Sequence, residues 1–96
     1  MLCSILISNF NKSKYLEKCL SSVKNQTYEN IEIIFSDNYS TDDSIIKASK
    51  FSNIKILKTK RLTNSPALNQ IDVILKAFEV SKGDYIFLLD SDDFFE

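Results

Sequence analysis

Among its 96 residues the chain has no histidine, one glycine and one proline. Without histidine it cannot supply a Ser-His-Asp triad, a histidine general base or the histidine half of a zinc site. A single glycine, Gly83, leaves neither the Gly-x-Gly-x-x-Gly dinucleotide fingerprint nor a Gly-rich P-loop. The sequence therefore argues against an NAD site and a P-loop ATP site. Cysteine is also scarce. Cys3 and Cys19 form no Cys-x-x-Cys pair and read as small buried apolar residues, compatible with a reducing cytosol. The formal net charge of −1 gives no electrostatic footprint for nucleic acid or an anionic membrane. The N-terminal apolar run Leu2–Ile7 has no basic stretch before it and is too short for a signal or a spanning helix. The expected location is cytoplasmic, with peripheral attachment at the inner face of the membrane left open for a full-length protein. Three Asn-x-Ser/Thr triplets, at Asn11, Asn25 and Asn38, are read as chance matches without an export signal.

What is present is an ordinary globular composition, 44% hydrophobic and 26% charged, of a length that makes one small domain. Apolar runs at Leu2–Ser8, Ile31–Ser36, Ile54–Leu57 and Tyr85–Leu89 read as four strands. The last, entered through Gly83, reads as buried on both faces; the third, short and flanked by Lys55 and Lys58, reads as an edge. Between them lie three helical patterns. Tyr15, Leu16, Cys19, Leu20 and Val23 make one apolar stripe behind Ser13 as a candidate N-cap. Ile45, Ile46 and Ser49 give a weaker face, capped by Ser40 or Thr41. Ile71, Ile74, Leu75, Phe78 and Val80 mark a third helix, with Gly83 as the expected C′ residue. Lys58–Asn69, basic and then polar with Pro66, reads as a mobile loop.

The order β-α-β-α-β-α-β implies an α/β fold: a three-layer sandwich around a mostly parallel, Rossmann-like sheet with right-handed crossovers. Ligands of such sheets bind beyond the carboxyl ends of the strands, where the strand order reverses. With strand order 3-2-1-4, the clusters Asn9-Phe10-Asn11, Asp37-Asn38 and Asp90-Ser91-Asp92 line one crevice at that point. Carboxylates two residues apart repel unless a cation sits between them, and a hard divalent ion such as Mn²⁺ or Mg²⁺ brings phosphate oxygens with it. The competing reading of Asp90–Asp92 is a solvated acidic turn that ends the strand. A nucleoside diphosphate held through a metal suits the clusters. Asp92 would ligate the ion, Asp90 would support the ion or the ribose, and Asp37 or Asn38 would bond a base edge. Phe10 would stack on the base or, alternatively, plug the core.

Five stretches together resemble the N-terminal, nucleotide-binding half of an inverting family-2 glycosyltransferase with the GT-A fold. They are Ser4–Lys12, Tyr15–Val23, Asn25–Ile34, Ser40–Ser44 and Lys82–Asp93. The resemblance implies a nucleotide-diphosphate sugar as donor, a carbohydrate or lipid-linked acceptor, and no nucleic acid. It implies that Asp90 and Asp92 are the DxD that holds Mn²⁺ or Mg²⁺ on the diphosphate, with Asp92 the direct ligand. Asp37 matches the first acid of the Asp-Asp-Gly-Ser-Thr-Asp stretch at the base and ribose. Ser8 and Phe10 match residues beside the base, and Ser8-Asn9-Phe10 stands where Pro-Thr-Tyr is usual. Asn38 replaces the second acid and Tyr39 the glycine. An amide donates as well as accepts, which weakens a uracil preference. Arg61 is the nearest substitute for the usual Arg-Asn stretch.

The family's catalytic base and acceptor-binding surface lie beyond the DxD. The expectation is a donor-binding part, with a non-catalytic binding or interaction module as the alternative, and an exposed last strand through which two copies associate. A haloacid-dehalogenase-type phosphatase, with Asp90 as nucleophile, is set aside, since that motif opens its domain and the downstream Lys and acids it needs are absent.

Overall fold

The computed structural model describes residues 2–25, 30–60 and 64–91. Its elements run β1 (Cys3–Asn9), α1 (Ser13–Lys24), β2 (Ile31–Asn38), α2 (Ser44–Ser49), β3 (Ile54–Thr59), α3 (Pro66–Val80) and β4 (Tyr85–Asp90). The four strands form one sheet in the order β3-β2-β1-β4, with every pairing parallel. The expected topology is the observed one. The polar break at 26–28, Arg61 and Asp92 lie outside the described residues.

β1 is central and buried along its whole length. The pleat sends alternate side chains to opposite faces. Cys3, Ile5 and Ile7 join Ile33 and Phe35 against Leu16, Cys19, Leu20 and Val23 of α1 and Ala48 of α2. On the other face Leu6 and Ile34 pack with Ala77 of α3. Two helices therefore cover one face and α3 alone covers the other, which makes three layers.

Several local expectations are corrected. β4 is not buried on both faces. As the expected strand order implies, it is an edge strand, and Tyr85, Phe87 and Leu88 are more than half exposed. Helix α3 does not turn its most apolar stripe inward. Ile71, Leu75 and Phe78 are more than half exposed, while Asn69, Val73 and Ala77 are buried. The reason is proximity: the Ser36 hydroxyl donates to the Val73 carbonyl oxygen at 3.0 Å. A helix that close to the sheet accepts only small side chains between. Pro66–Asn69 is the first turn of α3, not loop, because Ser65 caps it from the Leu68 N–H and Pro suits the first helical position. Lys58 and Thr59 belong to β3. Ser13 opens α1 but does not cap it. Its N–H is accepted by Asp42 Oδ2 from the following loop at 3.0 Å, and Lys12 is the N-cap residue, with no side-chain cap bond. Helix α2 has Asp43 at its N-cap rather than Ser40 or Thr41. Tyr15 is exposed, so the inner stripe of α1 begins at Leu16.

Gly83 is not a left-handed helix terminator; α3 ends at Val80 with Ser81 extended. It is there for close approach. Its N–H donates to Ser4 Oγ at 2.8 Å, and Ser4 Oγ donates to Glu32 Oε2 at 2.5 Å. Glu32 Oε2 also accepts the Lys82 N–H at 2.7 Å. Burial opposes ionisation of Glu32, but these bonds and the nearby Lys55 and Lys82 charges outweigh it and hold its pKa below the ordinary glutamate value.

A methyl at position 83 would lie 2.6 Å from the Ser4 amide nitrogen and closer still to its hydroxyl. The Ser4 backbone sits in the central strand and cannot give way. Gly83→Ala is expected to destabilise the chain by about 1–3 kcal/mol, read as a lowered urea midpoint at unchanged m-value. An unchanged midpoint would show that the β4 entry is not packed this closely.

Candidate functional site

The carboxyl ends of β1, β2 and β4 enclose a cavity of about 380 Å³. Ser8 to Lys12 border it from the exit of β1, Asn38 from β2 and Asp90 from β4. Asn69, Gln70 and Val73 close it from α3. It lies where the strand order reverses between β1 and β4, the position at which open parallel sheets bind ligands.

The pleat decides which side chains reach it. Ser8 pairs with Ser36 and with Asp90, and Asn9 pairs with Asp37. Ser8, Ser36, Asn38 and Asp90 therefore share the face under α3. Asn9, Asp37 and Ser91 share the face toward α1. Asp37 and Asn38 are neighbours in sequence, yet only Asn38 lines the cavity.

Asp37 is 2% exposed and spends its carboxylate inside the protein. Its Oδ1 accepts from Asn9 Nδ2 at 2.7 Å and from Ser40 Oγ at 2.6 Å, and its Oδ2 accepts the Ser40 N–H at 2.9 Å. Asn9 Nδ2 also donates to Ser40 Oγ at 3.1 Å, and Asn9 Oδ1 accepts from Ser91 Oγ at 2.7 Å. One buried amide thus ties the ends of β1, β2 and β4 together. Asn11 extends the lock outward. With φ at 51° it adopts the left-handed conformation that Asn tolerates. Its Oδ1 accepts the Thr41 N–H at 2.8 Å, and its own N–H donates to Ser40 Oγ at 2.9 Å. Asp42 continues the lock. Burial opposes its ionisation, but the Ser44 hydroxyl and N–H and the Ser13 N–H outweigh that and lower its pKa.

The wall under α3 is less closed. Asn38 is 4% exposed, and its buried Oδ1 has no hydrogen-bond donor among the described residues. A buried acceptor left unpaired costs about 1–3 kcal/mol. Gln70 Nε2 reaches Ser8 Oγ at 3.5 Å and Asp90 Oδ2 at 3.4 Å, long contacts that span the gap between β1 and β4. Phe10 is 36% exposed at the cavity, so it is not a core plug. Lys12 and Asp90 bring one charge of each sign.

Ser8, Asn9, Phe10, Asn38 and Asp90 are thus brought together as expected, and Asp37 stands behind Asn9. Asn69 and Gln70 were not anticipated. A helix between parallel strands begins at their carboxyl edge, so the first turn of α3 faces the ligand end. The signal was Ser65-Pro66, a cap followed by a favoured first residue, directly ahead of two amides.

Glycosyl transferase family 2 matches residues 4–96. The chain belongs to that family. The glucosyltransferase WfaP of Escherichia coli, a UDP-Glc:alpha-D-GlcNAc-diphosphoundecaprenol beta-1,3-glucosyltransferase, is 37% identical over 97% of this chain and 36% of its own length. The chain therefore spans about a third of that relative. Among solved structures, S. aureus TarS 1-349 superposes with a TM-score of 0.82 at 24% identity, over 98% of this chain and 28% of its own. The mannosyltransferase PcManGT from Pyrobaculum calidifontis, solved with GDP-Man and Mn²⁺, gives 0.76 at 16% identity, over 97% of this chain and 28% of its own. These likenesses show the GT-A fold of the family-2 enzymes. Among the described residues no helix is long and apolar enough to cross a membrane.

Tyr39 carries the loop's other cost. It is 64% exposed with φ at 56°, a left-handed conformation for a bulky residue. The conformation costs roughly 1–2 kcal/mol, and glycine's extra unfolded-chain entropy returns about 0.5–1. Tyr39→Gly is expected to raise stability by up to about 1 kcal/mol, measured by chemical denaturation. A destabilised variant would mean that the Tyr39 side chain makes a contribution larger than the strain.

Proposed function

We propose that the chain binds the nucleotide of a nucleotide-diphosphate sugar in this cavity. We further propose that the whole protein transfers the sugar, with inversion, to a hydroxyl of a carbohydrate or lipid-linked acceptor. The observation that carries the reading is the unpaired, buried Asn38 Oδ1 on the wall of a cavity that also presents Ser8, Phe10 and Asp90. In this assignment Asn38 bonds the base edge, Phe10 lies against the ring, and Ser8 and Asn9 form the floor. Asp37 acts through Asn9 and Ser40, whose positions it holds. The names of the relatives support the substrate classes. WfaP takes UDP-Glc and a diphosphoundecaprenol-linked acceptor, and TarS 1-349 has been solved with UDP-GlcNAc.

The oxygen chemistry at the cavity fits a divalent cation. Among the described residues there is no cluster of three or more metal-ligating side chains. Mg²⁺ is commonly held by one or two carboxylates and the substrate's phosphates. Asp92 would be the direct ligand and Asp90 its partner, and a bound Mn²⁺ or Mg²⁺ supplies positive charge for the diphosphate. Asp90 is the one carboxylate among the described residues that lines the cavity.

Calorimetric titration with UDP, GDP, dTDP and CMP, with and without Mn²⁺, tests the reading. Metal-dependent binding of at least one nucleotide is expected, weakened tenfold or more by Asp92→Ala. No binding by any of them to a folded sample would refute it, and binding that Asp92→Ala leaves unchanged would refute the metal assignment.

The exposed edge of β4 suggests one partner, a second copy. Tyr85, Phe87 and Leu88 lie on it, and an identical edge related by a twofold axis pairs antiparallel with it. Light scattering is expected to show a dimer whose population rises with concentration; a monodisperse monomer at high concentration would contradict this.

A further inference from the structure

Two buried asparagines stand at the cavity and differ in one respect. Both ends of the Asn9 amide are held, Nδ2 by Asp37 and Ser40 and Oδ1 by Ser91, so its orientation is locked. The Asn38 amide is equally buried, but no described residue donates to its Oδ1. An amide turned by 180° about its last torsion exchanges donor and acceptor while keeping its shape. Asn38 can therefore offer either order to a ligand.

Nucleobases come in two hydrogen-bonding types of equal ring size. Uracil and guanine are lactams, with a ring N–H beside a carbonyl. Cytosine and adenine are amidines, with a ring nitrogen lone pair beside an amino group. A fixed donor or acceptor distinguishes them; a freely turning amide pairs with both.

Resting on the nucleotide reading above, we infer that Asn38 reads the base and makes the site tolerant, binding lactam and amidine nucleotides alike within each ring size. Selection between purine and pyrimidine then falls to the shape of the cavity, and selection within a pair is weak. A carboxylate at position 38 would remove the tolerance. It only accepts, so opposite the ring nitrogen it keeps the lactam N–H and meets the amidine lone pair.

The test is titration, in the presence of Mn²⁺, of UDP against CDP and GDP against ADP into the wild-type chain and Asn38→Asp. In whichever pair binds, the wild-type dissociation constants are expected to agree within about tenfold, and Asn38→Asp is expected to shift the ratio at least tenfold toward the lactam member. The wild-type ratio alone decides the matter if the buried carboxylate prevents folding. A wild-type ratio beyond tenfold, or a folded Asn38→Asp with an unchanged ratio, overturns the inference and leaves the nucleotide reading standing. No binding by any of the four overturns both.

Discussion

Asn9 donates to Asp37 and Ser40 and accepts from Ser91; Asn9, Asp37 and Ser91 are buried and Ser40 is half-buried. Those partners come from the end of β2, the loop after it and the residue after β4. Parallel strands have no hairpins to hold their ends in register, so the carboxyl edge of such a sheet must be tied by side chains or loops. Here one amide and one carboxylate do it. Asp37 is worth more as the brace than as a ligand group, because removing it would take from the buried Asn9 amide its shortest acceptor and from the half-buried Ser40 N–H and hydroxyl theirs, and a buried polar group left unpaired costs about 1–3 kcal/mol. The left-handed turns at Asn11 and Tyr39 are bent around the same brace.

The pleat turns this brace into a site. Groups on the α1 face of β1 and β2 are consumed by one another. Groups on the α3 face, Ser8, Asn38 and Asp90, face the small inner side of α3. Asn69, Gln70 and Val73 leave room there because α3 lies close to the sheet and carries its bulk outward. The close approach that exposes Ile71, Leu75 and Phe78 is thus also what shapes the cavity wall.

The topology was legible because four apolar runs separated by helical patterns leave few alternatives. Ser8, Asn9, Phe10 and Asp90 were legible because residues that end parallel strands gather at one edge. The division between Asp37 and Asn38 was not, because it depends on β2 continuing to Asn38, two residues past its apolar run. The inner face of α3 was hidden for a different reason. Hydropathy ranks Ile71, Leu75 and Phe78 above Asn69 and Ala77, whereas close packing selects for size. Gly83 was recognised as a boundary, but its purpose, contact with Ser4 across 79 residues of sequence, is a tertiary fact.

Amide chemical-shift mapping of the isotopically labelled chain, titrated with UDP and with GDP in the presence of Mg²⁺, tests most directly whether the β1–β4 switch point is the binding site. The largest shifts are expected on Ser8 to Lys12, Asn38, Asn69, Gln70 and Asp90, while Asn30 and Lys82 at the opposite edge of the sheet stay still. Shifts concentrated at that opposite edge, or on α2 and β3, would contradict it.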